Sequence, residues 1–212
     1  MNDTDKPTIS RREQSKQNRR DAIVQAARAS FLENGYAGTS MSALVHTLGG
    51  SKQTLWSYFR SKEELFAAVI EEVTSSFRAE LSQLLTGSDD LQRSLLDFCR
   101  SFLRRLDADD AVAAWRLVAG ESGRFPEVGR IFYERAVRLT ETTLAQFLAR
   151  FIASGELREE SAPRMAELLL GLCASRQNKR LWGVGTGDEA SREADAIAYS
   201  GMFLRAFARE KG

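Results

Sequence analysis

Two short helices joined by a turn are predicted by residues 39–66, which read TSMSALVHTLGGSKQTLWSYFRSKEELF. Ser40 and Ser51 are residue types that cap helix N-termini, and the apolar residues after each recur at helical spacing. The pair Gly49-Gly50 ends the first short helix, since glycine readily adopts the left-handed conformation that closes a helix. Residues 61–64 have the S-x-x-E pattern of a capping box and open a longer helix.

A leading helix precedes this stretch. Ile23, Ala27 and Phe31 recur every four residues, and Gly35 is expected to end the helix in a left-handed conformation. A leading helix, two short helices and a long fourth helix form the arrangement of a helix-turn-helix module. We therefore predict a helix-turn-helix at residues 40–59.

The third helix carries side chains that suit a DNA groove. Leu55 and Phe59 lie four residues apart and are expected to face inward. The side chains left exposed are Lys52, Gln53, Thr54, Trp56, Ser57 and Tyr58. Lysine and glutamine can hydrogen-bond to base edges, whereas threonine, tyrosine and the tryptophan indole can donate to phosphates. The alternative is a small helical bundle with aromatic side chains at its rim.

Several runs of this sequence resemble the start of the TetR/AcrR family of bacterial transcriptional regulators. They are FLENGYAGTSM at residues 31–41, LV at 44–45, LG at 48–49, SKQTLWSYF at 51–59 and SKEELF at 61–66. The resemblance covers about residues 17–77, and residues 116–135 resemble a TetR-family regulatory domain more weakly. Two residues depart from the family pattern: Gly50 stands where a small apolar residue is usual, and Trp56 stands where tyrosine is favoured.

The resemblance implies a role for each matching residue. Lys52, Gln53 and Thr54 match base-reaching positions at the start of a recognition helix in the major groove. The positions that match phosphate contacts are Trp56, Tyr58 and Lys62. Thr39 and Ser40 match the start of the second helix, where free N–H groups attract phosphate.

Basic residues are concentrated near the N-terminus. Residues 1–60 hold nine Lys+Arg and five Asp+Glu, a net charge of +4, while the remainder holds 21 and 24, a net charge of −3. This asymmetry indicates a polyanionic partner for the first part, although chance variation in surface charge is an alternative.

Residues 1–16 are predicted to form a flexible arm, with a patterned helix from Arg19. The basic side chains in this region that could reach DNA, or simply be solvated, are Arg11, Arg12, Lys16, Arg19 and Arg20. His46 is expected on the outer face of the second helix, solvated or touching a phosphate.

Residues 78–212 are expected to form a helical ligand-binding and dimerisation domain. The fold class is therefore all-α, with a three-helix DNA-binding domain followed by a regulatory bundle. Helices near 162–181 and 190–209 carry apolar faces with small residues such as Gly201. The resemblance implies that these last two helices pair with those of a second copy in a four-helix bundle.

A ligand cavity is expected among the aromatic side chains of this domain. Its predicted lining is Phe98, Phe102, Trp115, Phe132 and Tyr133, with Arg116 as a polar anchor. Such side chains are also ordinary core residues, so plain packing is the alternative. We expect a ligand-responsive repressor that binds an inverted-repeat operator in double-stranded DNA as a homodimer and is released by a small molecule.

Composition excludes several other functions. A single histidine leaves no site for two imidazole ligands, and no apolar run is long enough for a membrane span, so no metal, cofactor or membrane is expected. Cys99 and Cys173 fit no metal spacing and are expected to be buried and inert in a reducing cytoplasm. The competing hypotheses are a helical enzyme, which lacks a nucleophile signature, and a helical adaptor that uses residues 52–58 on a protein partner.

Overall fold

The structure is a computed structural model that describes residues 10–49, 51–87, 89–183 and 188–209. Within these ranges the chain forms ten α-helices, a π-helical segment and an isolated bridge between Leu157 and Ala208. The helices are α1 (Arg11–Gly38), α2 (Met41–Leu48), α3 (Lys52–Tyr58), α4 (Lys62–Leu85), α5 (Leu91–Asp107), α6 (Asp109–Glu121), α7 (Pro126–Phe132), the π-helix (Tyr133–Val137), α8 (Arg138–Ala153), α9 (Ala162–Leu181) and α10 (Glu189–Phe207). The predicted all-α class is confirmed.

Helix α1 begins at Arg11, earlier than the helix predicted from Arg19. Ser10 caps it: the Ser10 hydroxyl accepts the Glu13 N–H at 3.2 Å, and the Glu13 carboxylate accepts the Ser10 N–H at 3.0 Å. This reciprocal pair satisfies two N–H groups that a helix end otherwise leaves unpaired. The predicted flexible arm is therefore corrected for residues 11–16, which are helical, while residues 1–9 lie outside the described part of the chain.

Aromatic packing organises the N-terminal unit, which extends to Val69. Phe31 is fully buried, and its ring centroid lies 5.7 Å from that of Tyr36 and 5.2 Å from that of Phe66. Tyr36 and Phe66 also meet edge to face at 5.4 Å. Gly35, at φ 74° and ψ 174°, breaks α1 beside this cluster. Because residues other than glycine rarely adopt that φ, this glycine lets the chain turn and bring Tyr36 back onto Phe31.

The C-terminal unit begins at Ile70, inside α4. The boundary predicted from the sequence lies after residue 77. It lies earlier because Phe77 belongs to the core of the C-terminal unit, where Phe98, Leu148 and Met165 are also buried. Helix α8 packs against α9, and α5 packs against both α9 and α10. No helix in the described ranges combines the length and the apolarity needed to cross a bilayer.

Candidate nucleic-acid interface and ligand cavity

Helix α3 is held by one apolar face and exposes the other. Leu55 and Phe59 are buried, at 3% and 1% exposure. Lys52 and Gln53 are exposed, and Trp56 is 46% exposed although it is a large apolar side chain. The predicted inward face is confirmed, whereas Thr54 and Tyr58, which were predicted to be exposed, are half-buried. The outward face is a polar and aromatic surface that the fold itself does not use.

The hydroxyl groups of α3 mostly serve the helix. Ser51 caps it by accepting the Thr54 N–H at 3.0 Å, and the two hydroxyl oxygens lie 2.9 Å apart. Ser57 donates its hydroxyl to the Thr54 carbonyl at 2.7 Å. Thr54 and Ser57 therefore have internal partners, and the side chains that extend into solvent without such a bond are those of Lys52, Gln53 and Trp56.

The turn between α2 and α3 depends on Gly49. This residue has φ 60° and ψ 39°, and its N–H donates to the His46 carbonyl at 3.3 Å. A Cβ atom added here would meet nothing within 4 Å, so the glycine is required by its backbone conformation and not by lack of space. The departure at Gly50 lies outside the described residues. His46 is exposed, as expected for the outer face of α2.

Thr39 and Ser40 organise the start of α2. Thr39 is 2% exposed, and its hydroxyl donates to the Gly35 carbonyl at 2.9 Å and lies 3.0 Å from the Ser30 hydroxyl. The Ser40 hydroxyl accepts the Ala43 N–H at 3.1 Å. Both side chains are therefore engaged within the protein. The groups left to attract an anion are the backbone N–H groups of the first turn, which have no partner within a helix.

Lys62 lies at the start of α4 against the aromatic cluster. Its ammonium nitrogen is 4.4 Å from the centroid of the buried Tyr36 ring, within the range of a cation–π contact. The Ser61 hydroxyl caps α4 by accepting the Glu64 N–H at 3.1 Å. A hydrogen bond from Ser61 also holds the pKa of Glu63 below its usual value, with smaller contributions from a backbone N–H, Tyr36 and Lys62.

The five basic residues in the first ten positions of α1 fall into two groups. Arg19 donates to the Leu48 carbonyl at 3.3 Å, and the Arg20 guanidinium lies 5.2 Å from the Phe59 ring centroid. These two side chains thus tie α1 to the helix-turn-helix and are not parts of an arm. Arg11, Arg12 and Lys16 are exposed on the first turns of α1.

A cavity of about 310 Å³ lies within the C-terminal unit. Phe102, Trp115 and Phe132 line it, as predicted, and the Trp115 and Phe132 rings meet at 5.7 Å between centroids. The π-helix adds Ala136 and Val137 to the lining. Single π-helical turns are rare and frequently occur at functional sites.

Three predicted lining residues lie elsewhere. Phe98 is fully buried in the core and stacks on Phe102 at 5.6 Å. Arg116 donates to the Arg180 carbonyl at 3.1 Å, so it links α6 to the end of α9. Tyr133 is 46% exposed, and its hydroxyl donates to Glu141 at 3.2 Å.

Gln177 is a cavity residue that the sequence analysis missed. It is 5% exposed and lines the cavity from α9, and its side chain makes no hydrogen bond with any residue that the structure describes. The signal was present in the sequence, because Gln177 follows the buried Cys173 by four residues and so shares its inward helical face.

Helices α9 and α10 expose large apolar side chains. Leu168 and Ile197 are each 55% exposed, and Met202 is 47% exposed. Gly201 precedes Met202 on α10, and a Cβ atom there would lie 3.3 Å from the flexible end of Arg205. These helices therefore present apolar surface that the single chain leaves in contact with water.

The two cysteines come together in the core. Cys99 on α5 and Cys173 on α9 are both free and fully buried. A hydrogen bond with Cys99, together with burial, raises the pKa of the Cys173 thiol. Because the thiolate is the reactive form, this environment disfavours reaction.

The two units match two sequence profiles. Residues 23–69 match the profile described as bacterial regulatory proteins of the TetR family. Residues 93–209 match the profile of the C-terminal domain of AefR-like transcriptional repressors. The first match includes the whole of α2 and α3, and the second includes most of the helices around the cavity.

Relatives and solved structures agree with these profiles. The HTH-type transcriptional repressor AcnR of Corynebacterium diphtheriae is 38% identical over 194 residues, which cover 92% of this chain and 96% of the relative. The HTH-type transcriptional repressor ComR of Escherichia coli K12 is 30% identical over 141 residues, or 65% of this chain and 67% of the relative. The structure of the flavonoid-responsive regulator FrrA has 33% identity and a TM-score of 0.77, covering 92% of this chain and all of its own. A TetR-family regulator from Mesorhizobium loti has 25% identity and a TM-score of 0.79, covering 91% and 98%.

Proposed function

The chain belongs to the TetR family of bacterial transcriptional regulators, and on that premise we propose that it represses transcription as a ligand-released homodimer bound to an inverted-repeat operator. It is a DNA-binding regulator and not an enzyme. The observation that carries the proposal is the outward face of α3, where Lys52, Gln53 and Trp56 are exposed on a helix anchored by Leu55.

The proposed contacts divide by chemistry. Lys52 and Gln53, at the N-terminal end of α3, are the base readers, with Thr54 beside them. Lysine and glutamine side chains can hydrogen-bond to base edges in the major groove, which alone distinguishes all four base pairs. The proposed phosphate contacts are Trp56, Tyr58, Lys62 and the first-turn N–H groups that follow Thr39 and Ser40. Further positive charge close to the DNA backbone would come from Arg11, Arg12 and Lys16.

The homodimer is proposed to form through α9 and α10. Three half-exposed apolar side chains on these helices, Leu168, Ile197 and Met202, would be removed from water by the same helices of a second copy. A symmetric pair of chains presents two recognition helices, and each would read one half of a palindromic site. The half-site centres should then lie about 34–36 Å apart, one helical turn of DNA, or somewhat more.

Release by a small molecule is proposed to use the cavity of the C-terminal unit. At about 310 Å³ it lies within the size range of small-molecule sites, and its aromatic lining suits a mostly apolar molecule with one polar end. FrrA, one of the related structures, is flavonoid-responsive, so aromatic ring compounds are the proposed effector class. Binding should lower DNA affinity by a coupling of about 1–3 kcal/mol, and DNA should lower effector affinity equally.

Selection from a random pool of duplex DNA tests this function with the full chain. The expected product is an inverted repeat, and sedimentation of the complex should give two chains per site. Recovery of a non-repeated site bound by one chain would refute the dimeric arrangement. A pool that shows no enrichment after repeated rounds would refute α3 as a sequence reader.

A further inference from the structure

The cavity of the C-terminal unit contains buried polar groups that the protein leaves unpaired. The Gln177 side chain is 5% exposed and makes no hydrogen bond with a described residue, and its amide atoms keep a small accessible surface. The Trp115 indole nitrogen is also buried without a partner. Both residues line the cavity, one from α9 and one from α6. Buried polar groups in native proteins are nearly always hydrogen-bonded, so each such exception needs a physical explanation.

The other polar side chains deeper in the cavity are already committed. Arg105 donates to the Asp110 carboxylate at 2.7 Å and to the Val73 carbonyl at 2.9 Å. The hydroxyls of Thr74 and Thr140 donate to carbonyls one turn back in their own helices, at 2.8 and 3.0 Å. Gln177 and Trp115 are therefore the two lining residues with unpaired donor groups. The Gln177 amide has accessible surface, whereas the indole nitrogen of Trp115 is fully buried.

The charges around the cavity select against anions. Arg105 is the single basic side chain of the lining, and its guanidinium is neutralised by Asp110. Glu141 and Glu167 also belong to the lining, and Glu167 is exposed where α9 meets solvent. A carboxylate or phosphate entering here would meet like charge and would find no unpaired cation. The interior around Phe102 and Trp115 is apolar, which favours an uncharged guest.

We propose that Gln177, together with the indole N–H of Trp115, forms the polar end of the effector site, and that the effector is an uncharged aromatic ring compound with a carbonyl oxygen directed at these donors. The carboxamide of Gln177 can donate and accept, whereas the indole can only donate. A carbonyl oxygen with two lone pairs matches both. This inference rests on the proposed ligand response and replaces Arg116, which bonds to Arg180, as the polar anchor.

Gln177→Leu separates a binding role from a structural one in the free protein. Leucine has a similar size and removes the unpaired amide, so the melting temperature of the free variant should be unchanged or higher than that of the wild type. Gln83→Leu, on the exposed face of α4, is the matched control for the same change at a surface site. A clear fall in melting temperature for Gln177→Leu but not for Gln83→Leu would show that Gln177 holds the fold, and would overturn the proposal.

Flavone and flavan are the binding probes, because they share a ring skeleton and flavone carries a ring carbonyl that flavan lacks. Flavone also has a ring double bond that flavan lacks, so the change in preference caused by Gln177→Leu, and not the preference itself, reports the carbonyl. By calorimetry without DNA, the wild type should bind flavone roughly tenfold more tightly than flavan. Gln177→Leu should reduce that preference to about twofold or less, while Gln83→Leu should keep it. A flavone carboxylate should bind more weakly than flavone. Equal binding of flavone and flavan, binding of neither, or tighter binding of the carboxylate would each overturn the proposal.

A separate DNA measurement distinguishes this inference from the proposed function. If flavone binds with the expected dependence on Gln177 but leaves operator affinity unchanged, the site stands and the proposed release fails. If DNA binding responds to flavone and flavan alike and Gln177→Leu responds as the wild type does, the release stands and the assignment of Gln177 fails.

Discussion

The two units of the chain arrange their aromatic side chains in opposite ways. In the N-terminal unit Phe31, Tyr36 and Phe66 contact one another in a closed cluster, with centroids 5.2–5.7 Å apart. In the C-terminal unit Trp115 and Phe132 meet at 5.7 Å but surround a cavity of about 310 Å³. A closed cluster holds a surface in one shape, whereas an open one retains space for a guest at the expense of packing.

The largest expected effect tests this difference directly. Phe31→Ala removes a fully buried ring from a closed cluster and should lower the free energy of unfolding by about 3–5 kcal/mol. Phe102→Ala removes a ring that already borders empty space, so it loses fewer contacts and should cost less than about 3 kcal/mol. Denaturant titration of both variants measures the two values. Equal losses would mean that the cavity does not loosen the C-terminal unit.

The second effect concerns the surfaces of α9 and α10. Ile197→Asp would bury an unpaired charge in the proposed dimer interface and should weaken association roughly 100-fold, or about 2.8 kcal/mol. Leu139→Asp changes a 39% exposed residue on α8 and is the matched control. Sedimentation over a range of protein concentrations gives both dimer constants. If the dimer dissociation constant of Ile197→Asp equals that of the wild type, α10 does not belong to the dimer interface.

The third effect concerns the outward face of α3. Gln53→Ala should relax sequence preference at one operator position, by about 1–3 kcal/mol of discrimination, because a base contact is lost. Ser57→Ala is the control, since the Ser57 hydroxyl already donates to Thr54 within the helix. Affinities for single-base operator variants measure the effect. The same preference in both variants would contradict base reading by Gln53.

The fourth effect is electrostatic and independent of sequence. Lys62→Ala should weaken binding to all DNA and reduce the slope of log affinity against log salt by about 0.9, because one phosphate contact is lost. Lys62→Arg keeps the charge and should retain the slope. Lys179→Ala, on the exposed face of α9, controls for net charge. If Lys179→Ala changes the slope as much as Lys62→Ala does, the effect comes from the loss of net charge and not from a contact between Lys62 and a phosphate.

The smallest effect is a pH dependence within the N-terminal unit. The pKa of Glu63 is lowered in the folded state, chiefly by Ser61, so its contribution to stability is present above the unfolded pKa of about 4.3 and is lost as pH falls through the folded pKa. Glu63→Gln should therefore be less stable than the wild type at pH 7, and the difference should shrink below about pH 4. Melting temperatures at several pH values measure it, with the exposed Glu33→Gln as control. A gap that persists in acid would exclude this carboxylate as its source.

The sequence predicted local structure better than the neighbours of single side chains. Leu55, Phe59 and the Ser61 cap follow from spacing and residue type, which act within one or two helical turns. Arg116 was expected at the cavity as a polar anchor and Tyr133 as one of its aromatic side chains, yet each only follows a residue that does line it. Successive residues of a helix point about 100° apart, so an adjacent position seldom shares a lining.

Other misses had a local signal that was not used. Residues 10–13 have the same S-x-x-E pattern as residues 61–64, and both pairs cap helices. Composition outweighed this pattern, because the first turns of α1 bury almost nothing and so look like an unstructured arm. The cavity itself could not be predicted, since it arises where α4, α5, α6 and α9 fail to fill the space between them.

The short helix α3 separates the residues that hold it from the residues that would read DNA. Leu55 and Phe59 are buried, whereas Lys52 and Gln53 are exposed and support no other part of the chain that the structure describes. Exposed substitutions of this kind usually change stability by less than about 0.5 kcal/mol. Mutations at these two codons can therefore accumulate without loss of folded protein, and after gene duplication a copy could acquire a new target site while its C-terminal unit stayed unchanged.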